Sequence, residues 1–250
     1  MSATKDVIQD IVKMTAGLGF INAVKITGSD NETSLDAMDT ERTVIVKATL
    51  HNALPEFKGE FGLGNLGFLA GVTNLSNYKE DDATVEVVSR DRNSVETPDH
   101  LLFKDKDNNT DQYRFMSKEI IEQNLQTVKF KGTEWDVTFE PTKNKVAELQ
   151  AIAGIYGGIE PNFTVKTDNG NLVITVGASD GSFTGKRTFA HNIDGELNEG
   201  YAWPLNQVLA ILKLGMSGQC VMQISKRGAL QIGIDTGIGK YDYILPALTV

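Results

Sequence analysis

The 250-residue sequence predicts an α+β fold of two similar domains, each with two helices packed on mainly antiparallel sheets. Three observations predict it. The chain runs twice through an amphipathic helix, strands, a second helix and more strands, and a shift of 128 residues lays Leu102, Asp107 and Tyr113 on Leu230, Asp235 and Tyr241. A repeat of that length is too long for a solenoid and matches two similarly built domains in one chain. Many short segments are β-branched or alternate in polarity, and turn signals such as Thr167-Asp168-Asn169-Gly170 separate them, as hairpins require. Helical periodicity is confined to four stretches, and many hairpins joined to few helices mean α+β.

The first helix places Val7, Ile8, Ile11, Met14, Thr15 and Leu18 on one side at a 3.6 period, with Lys5, Gln9 and Lys13 opposite. Strands follow over residues 20–27 and 43–50. A second helix, from residue 62 to about 74, is rich in glycine and poor in charge. After a strand over 84–89, the polar stretch 117–133 is the natural linker, interrupted by Ile120, Ile121, Leu125 and Val128. The domains are therefore expected at 1–116 and 134–250. The third helix starts near Thr142 after Pro141, carries Lys143 and Lys145 in its first turn, and turns Val146, Leu149, Ala153 and Tyr156 inward. Strands over 163–167 and 172–177 lead to a fourth helix at Trp203-Pro204, which buries Leu205, Val208, Leu209 and Leu212 and turns Asn206, Ala210 and Lys213 away. Strands over 220–225 and 229–234 follow. Three of four helices thus present lysine or amide groups away from the core.

A formal charge of −9, from 24 basic and 33 acidic residues, excludes a protein whose whole surface grips nucleic acid. The N-terminal stretch is neither basic nor apolar and no run approaches a membrane span, so the cytoplasm is expected. The single cysteine, Cys220, reads as a small strand residue. Gly62-Leu63-Gly64-Asn65-Leu66-Gly67 satisfies G-x-G-x-x-G, with Asp82 about twenty residues on, but residues 56–61 are broken by charges and a glycine where a dinucleotide site needs a buried parallel strand. Residues 105–111 alternate carboxylates and an amide as a calcium loop does, yet Thr110 stands at the glycine position and Met116 at the glutamate position, so an acidic hairpin tip is expected. Gly185-Lys186 fails as a phosphate loop because Asp180 and Arg187 occupy its defining positions. His51, His100 and His191 lie far from one another and from Cys220 in sequence, and no G-x-S-x-G occurs. No catalytic residue, metal or cofactor is expected. Two other classes compete with a binding scaffold: a nicotinamide-dependent enzyme using the Gly62–Gly67 motif, and a β-rich phage structural protein.

Leu35-Asp36-Ala37-Met38-Asp39 leading into the strand at 43–50 resembles the L-x-x-M-D segment of sliding clamps of the proliferating-cell-nuclear-antigen fold, above all those of T-even-type bacteriophages. Phe61-Gly62-Leu63 with Leu66, Phe68 and Leu69, the Tyr113-Arg114-Phe115-Met116 strand, and Tyr243-Ile244-Leu245-Pro246 resemble further clamp segments, so that the likeness spans nearly the whole chain. The resemblance implies a homotrimeric ring with helices lining a central hole. Such a ring encircles double-stranded DNA without reading its sequence, is opened by an ATP-dependent clamp loader and tethers a replicative DNA polymerase. It implies DNA contacts from Lys5, Gln9, Lys13, Lys143, Lys145, Asn206 and Lys213. A ring that slides needs positive potential toward phosphates and few fixed base contacts. It further implies a partner-peptide pocket at Met38, Leu125, Tyr243, Leu245 and Pro246, and ring closure between edge strands at 112–116 and 182–189.

Overall fold

The computed structural model describes residues 3–92, 95–125, 130–178 and 181–248. The sequence patterns of each half yield the same succession of elements. In the first half, the amphipathic opening forms α1 (Ala3–Met14), followed by β1 (Ala23–Gly28), β2 (Thr33–Met38), β3 (Ile45–Leu50) and β4 (Gly59–Gly64). Then come α2 (Leu66–Thr73), the single turn α3 (Ser76–Lys79), and β5 (Thr84–Arg92), β6 (Val95–Lys104) and β7 (Thr110–Arg114). After α4 (Lys118–Leu125) and β8 (Val137–Phe139), the second half gives α5 (Lys143–Tyr156), β9 (Asn162–Asp168), β10 (Asn171–Gly177), β11 (Thr184–Ala190) and β12 (Tyr201–Pro204). It ends with α6 (Leu205–Gly215), β13 (Gln219–Ser225), β14 (Ala229–Asp235) and β15 (Gly239–Pro246).

Chain contacts divide these into two units, Met1–Lys129 with Gly237–Tyr241, and Phe130–Thr236 with Asp242–Val250. The first unit orders its strands β4-β1-β2-β3 and β5-β6-β7; the second orders them β12-β9-β10-β11 and β15-β14-β13-β8. The pairings along β4-β1-β2-β3, β5-β6-β7, β12-β9-β10-β11 and β14-β13-β8 are antiparallel. Apart from α3, α4 and β8, the second unit repeats the first element for element. Even the closing bridges correspond: Met116, two residues past β7, pairs with Gly62 of β4, and Leu248, two residues past β15, pairs with Ala202 of β12.

The structure corrects three sequence expectations. The shift of 128 residues fits only the last hairpin, because α1 corresponds to α5 and Ala3 to Lys143, a longer shift. Part of the difference arises where β5 and β6 run 9 and 10 residues against 7 each for β13 and β14. The second helix begins at Leu66, not at residue 62, since Gly62 and Gly64 belong to β4, antiparallel to β1. Their lack of side chains is required there: a Cβ on Gly62 would lie 2.7 Å from the side chain of Ile121, and one on Gly64 would overlap that of Met116. The expected linker 117–133 contains α4, which packs on β4 and β1 of the first unit. Val128, one of its apolar residues, lies outside the described residues.

Other signals hold. Thr142 caps α5 by accepting from the Lys145 amide at 3.3 Å, and Pro204 stands at the N-cap of α6. The core of the first unit gathers Ile8, Ile11 and Met14 of α1 with Val24, Ile26, Leu35 and Leu63 of its sheet; that of the second gathers Trp203, Leu205, Leu212, Ile224 and Ile232. No helix among the described residues is long and apolar enough to cross a membrane.

Candidate functional site

On the outer side of the helices, α1 and α2 border a groove of about 460 Å³ lined by Gln9, Lys13, Asn74 and Lys79. Lys13 and Lys79 are exposed, and between them the two amides can both donate and accept. In the second unit Lys143 opens α5 and Lys213 stands in the last turn of α6, where a cation complements the helix dipole; both are exposed, as is Asn206. Point charges on flexible stems, without a rigid donor fork, suit phosphate oxygens and read no base edge.

The first unit carries a second feature on the outer face of its β4-β1-β2-β3 sheet. Register places Gly62, Lys25, Asp36 and Lys47 in one cross-strand row, with Met38 opposite Ile45 beside it. α4 lies over this face. Ile121 is fully buried against Gly62. The Lys25 ammonium meets Glu60 at 2.7 Å and Glu122 at 3.0 Å, and Lys118 meets Glu60 at 2.8 Å. Hydrogen bonds from Lys118 and Lys25 hold the Glu60 carboxyl below its usual range. Burial works against the Lys25 ammonium, but the two carboxylates outweigh it and its pKa is raised. At the end of α4, Leu125 joins Met38, Ile45 and Ala37 around a cavity of about 60 Å³, with Lys25, Asp36 and Glu122 at its rim. Asp39 fixes the turn next to Met38: its carboxylate accepts from the Thr43 and Val44 amides, each at 2.7 Å, and from the Thr43 hydroxyl at 2.6 Å.

A third feature concerns sheet edges. β7 ends one sheet of the first unit and β11 one sheet of the second. Beside β7, Phe68 of α2 stacks on Tyr113 with ring centroids 6.4 Å apart, yet stays half exposed, as does Leu75. Just before β11, Phe183 is 65% exposed, and Ile155 of α5 is 69% exposed. Tyr156, next to Ile155, lies against Gly185 of β11, where a Cβ would come within 3.1 Å of its hydroxyl; Ile159 is exposed one turn on. Each edge thus has large unburied apolar groups beside unpaired backbone.

No protein-family model matches the sequence, and no curated protein does. Solved structures match over almost its whole length. The structure described as the C-terminal region of FEN-1 bound to A. fulgidus PCNA aligns with a TM-score of 0.71 at 11% identity, covering 98% of this chain and 96% of that one. The proliferating cellular nuclear antigen from Entamoeba histolytica aligns with a TM-score of 0.65 at 14% identity, covering 98% and 95%. This is the PCNA fold.

Within the PCNA fold the residues singled out from sequence scatter. Gln9, Lys13, Lys143, Asn206 and Lys213 lie on outward helix faces. Lys5 does not: it is 5% exposed, and its ammonium donates inward to the backbone carbonyls of Glu80 and Ala83, so it is not presented to a phosphate. Lys145 is half-buried and pairs with Glu148 at 2.9 Å. Met38 and Leu125 share the cavity, whereas Tyr243 and Leu245 are fully buried by the alternation of β15, Trp203 donating to the Leu245 carbonyl at 3.1 Å. As core side chains they offer no surface to a peptide; Pro246 is exposed. Sequence reasoning missed Lys79, which ends a four-residue helix too short to show periodicity, and the apolar edges. Phe183, a lone large apolar residue among polar neighbours, was the available signal. The acidic tip is a turn cap: Asp105 accepts from the amides of Asp107 and Asn109 and from the side chains of Asn77 and Asn109. Among the described residues no three His, Cys, Asp or Glu side chains gather as a metal would need. Asp180, at the first glycine position of the phosphate-loop pattern, lies outside the described residues.

Proposed function

We propose that this chain is the subunit of a ring-shaped sliding clamp in which three copies encircle duplex DNA and tether a replicative polymerase, an ATP-dependent loader opening the ring. The T-even-type phage clamps are the kind its L-x-x-M-D segment favours. One observation carries the reading: two unlike sheet edges, β7 and β11, each with exposed apolar residues beside it, on a chain whose halves repeat each other. Unlike edges that complement each other give a head-to-tail interface, and such an interface closes into a ring when the rotation allows. Strand pairing would satisfy the free backbone groups while Phe68 and Leu75 meet Ile155, Ile159 and Phe183 of the next copy. The outward Lys13, Lys79, Lys143 and Lys213 supply local positive potential on a chain of net charge −9, so DNA is tolerated at the helices and repelled elsewhere. The A. fulgidus protein is described with a terminal region of FEN-1 bound; by analogy the Met38 cavity is the place for a partner's terminal peptide.

Light scattering across a dilution series tests assembly. The expected mass is three chains of 27.3 kDa, dissociating on dilution. Phe183→Asp, which puts a charge at the edge of β11, should give single chains with an unchanged circular dichroism spectrum. A single-chain mass for the unmodified protein at every concentration would sink the ring.

A further inference from the structure

Little holds α4 on its sheet. Ile121 is its one buried side chain, and a helix of eight residues is too short to persist alone in water. Its ties to the sheet include ion pairs of Lys118 with Glu60 and of Lys25 with Glu122, whose side chains are all partly exposed, and a 3.9 Å contact of the Asn124 amide with the Met116 sulfur. Such pairs are weak and are screened by salt. Few buried contacts and solvated ties are what mark a segment that opens locally, well below the cost of global unfolding. Under the last turn of this segment lies the apolar Met38, Ile45 and Leu125 cavity, about 60 Å³, against the roughly 300 Å³ or more of a ligand site.

We propose that α4 is a displaceable cover over this cavity, held shut by the Lys25–Glu122 and Lys118–Glu60 ion pairs, and that an apolar anchor enters only while it is open. The occupant rests on the cavity being the partner-peptide site proposed above; the opening does not. Opening lifts Ile121 from its seat on Gly62 and frees Leu125 from Met38, so one motion uncovers a continuous strip along the row from Gly62 to Met38. Affinity for any occupant is then scaled by the fraction of time the cover is open. The ion pairs set that fraction, so a change in Lys118, which does not line the cavity, alters binding of every partner that uses it without touching the partner.

The full-length protein, free of DNA and peptide, suffices for the test. Hydrogen exchange of residues 118–125 and oxidation of Met38 by dilute peroxide are both read by mass spectrometry, with the buried Met14 and Met222 as internal standards. Glu122→Gln should speed both at low salt by roughly fivefold, the effect of losing one partly exposed pair. Salt at about 0.5 M should bring the unmodified protein toward that variant. Gly62→Ala, which crowds Ile121 at 2.7 Å, should speed both at any salt concentration. Amides of α4 that exchange only as fast as those of α1 and α6 in all three proteins would overturn the cover. So would rates in Glu122→Gln and Gly62→Ala that equal those of the unmodified protein. Ring assembly is read separately by mass, so a single-chain protein whose α4 opens as described would sink the clamp and support the cover.

Discussion

Lys5 and Lys13 stand about two turns apart on α1 and do different work. Lys13 is exposed beside Asn74 and Lys79, while Lys5 donates into the carbonyls of Glu80 and Ala83, which follow α3 and lead into β5. Those carbonyls are near the core, and an unmet one costs as much as a lost hydrogen bond. Lys5 is therefore a structural clip. Lys5→Met should lower stability by about 1.5–3 kcal/mol, the range for hydrogen bonds to charged groups, and leave DNA association of the folded protein unchanged. A thermal melt and a duplex titration at one salt concentration check it; a stable variant that loses DNA would return Lys5 to the lining. The apolar stripe from Val7 to Leu18 is buried as its period predicts, but the period implies one buried face. α1 buries Thr4, Lys5, Asp10 and Val12 as well, because Asp10 accepts from Tyr241 at 2.8 Å and Lys5 reaches past α3. Periodicity locates the most apolar arc and cannot show how many neighbours a helix has.

Among the elements, the β2–β3 turn shows how a motif read by likeness acquires a physical role. Met38 and Asp39 are adjacent but serve differently: Met38 lines the cavity, and Asp39, 3% exposed, satisfies two amides and one hydroxyl of the turn. Asp39→Ala would strand the Thr43 and Val44 amides and should cost about 2 kcal/mol in urea unfolding, while Asp39→Asn keeps the accepting oxygen and should recover most of that. Equal losses for the two variants would show that the capping bonds are not what the carboxylate contributes. Turn-bounded strands such as β10, β13 and β14 were legible because alternation and end signals agree. β4 was not. Its Gly59-Glu60-Phe61-Gly62-Leu63-Gly64 has low strand propensity, and the close approach of Ile121 and Met116 explains why Gly62 and Gly64 occupy it. The same approach accounts for the glycine motif without a nucleotide.

On the scale of the whole molecule, the duplication does more than set the fold. In the repeat β11 corresponds to β3 and β7 to β15, so the two edges come from different places in the repeated unit and are unlike. Their companions differ: the half-exposed Phe68 stacks on Tyr113 of β7, whereas the exposed Phe183 immediately precedes β11 and Tyr156 of α5 lies against its Gly185. Tyr113 and Tyr241, paired by the repeat, are both buried, Tyr113 donating to the Gly64 carbonyl and Tyr241 to Asp10, so corresponding strands keep one anchoring device and change its acceptor. The outward helix faces also keep their place while changing residues, with Lys13 on α1, Lys143 on α5 and Lys213 on α6. If these three meet phosphates, log K against log salt should flatten by about 0.9 for each phosphate left without its lysine. Lys13→Glu, Lys143→Glu and Lys213→Glu together should then reduce the slope by roughly 3 and weaken duplex association at low salt. All three are exposed, so the light-scattering mass should not change. Retained mass with a reduced slope places the DNA at the helices. Retained mass with an unchanged slope would mean that the positive potential is supplied elsewhere, and the helices would lose their assignment as the lining.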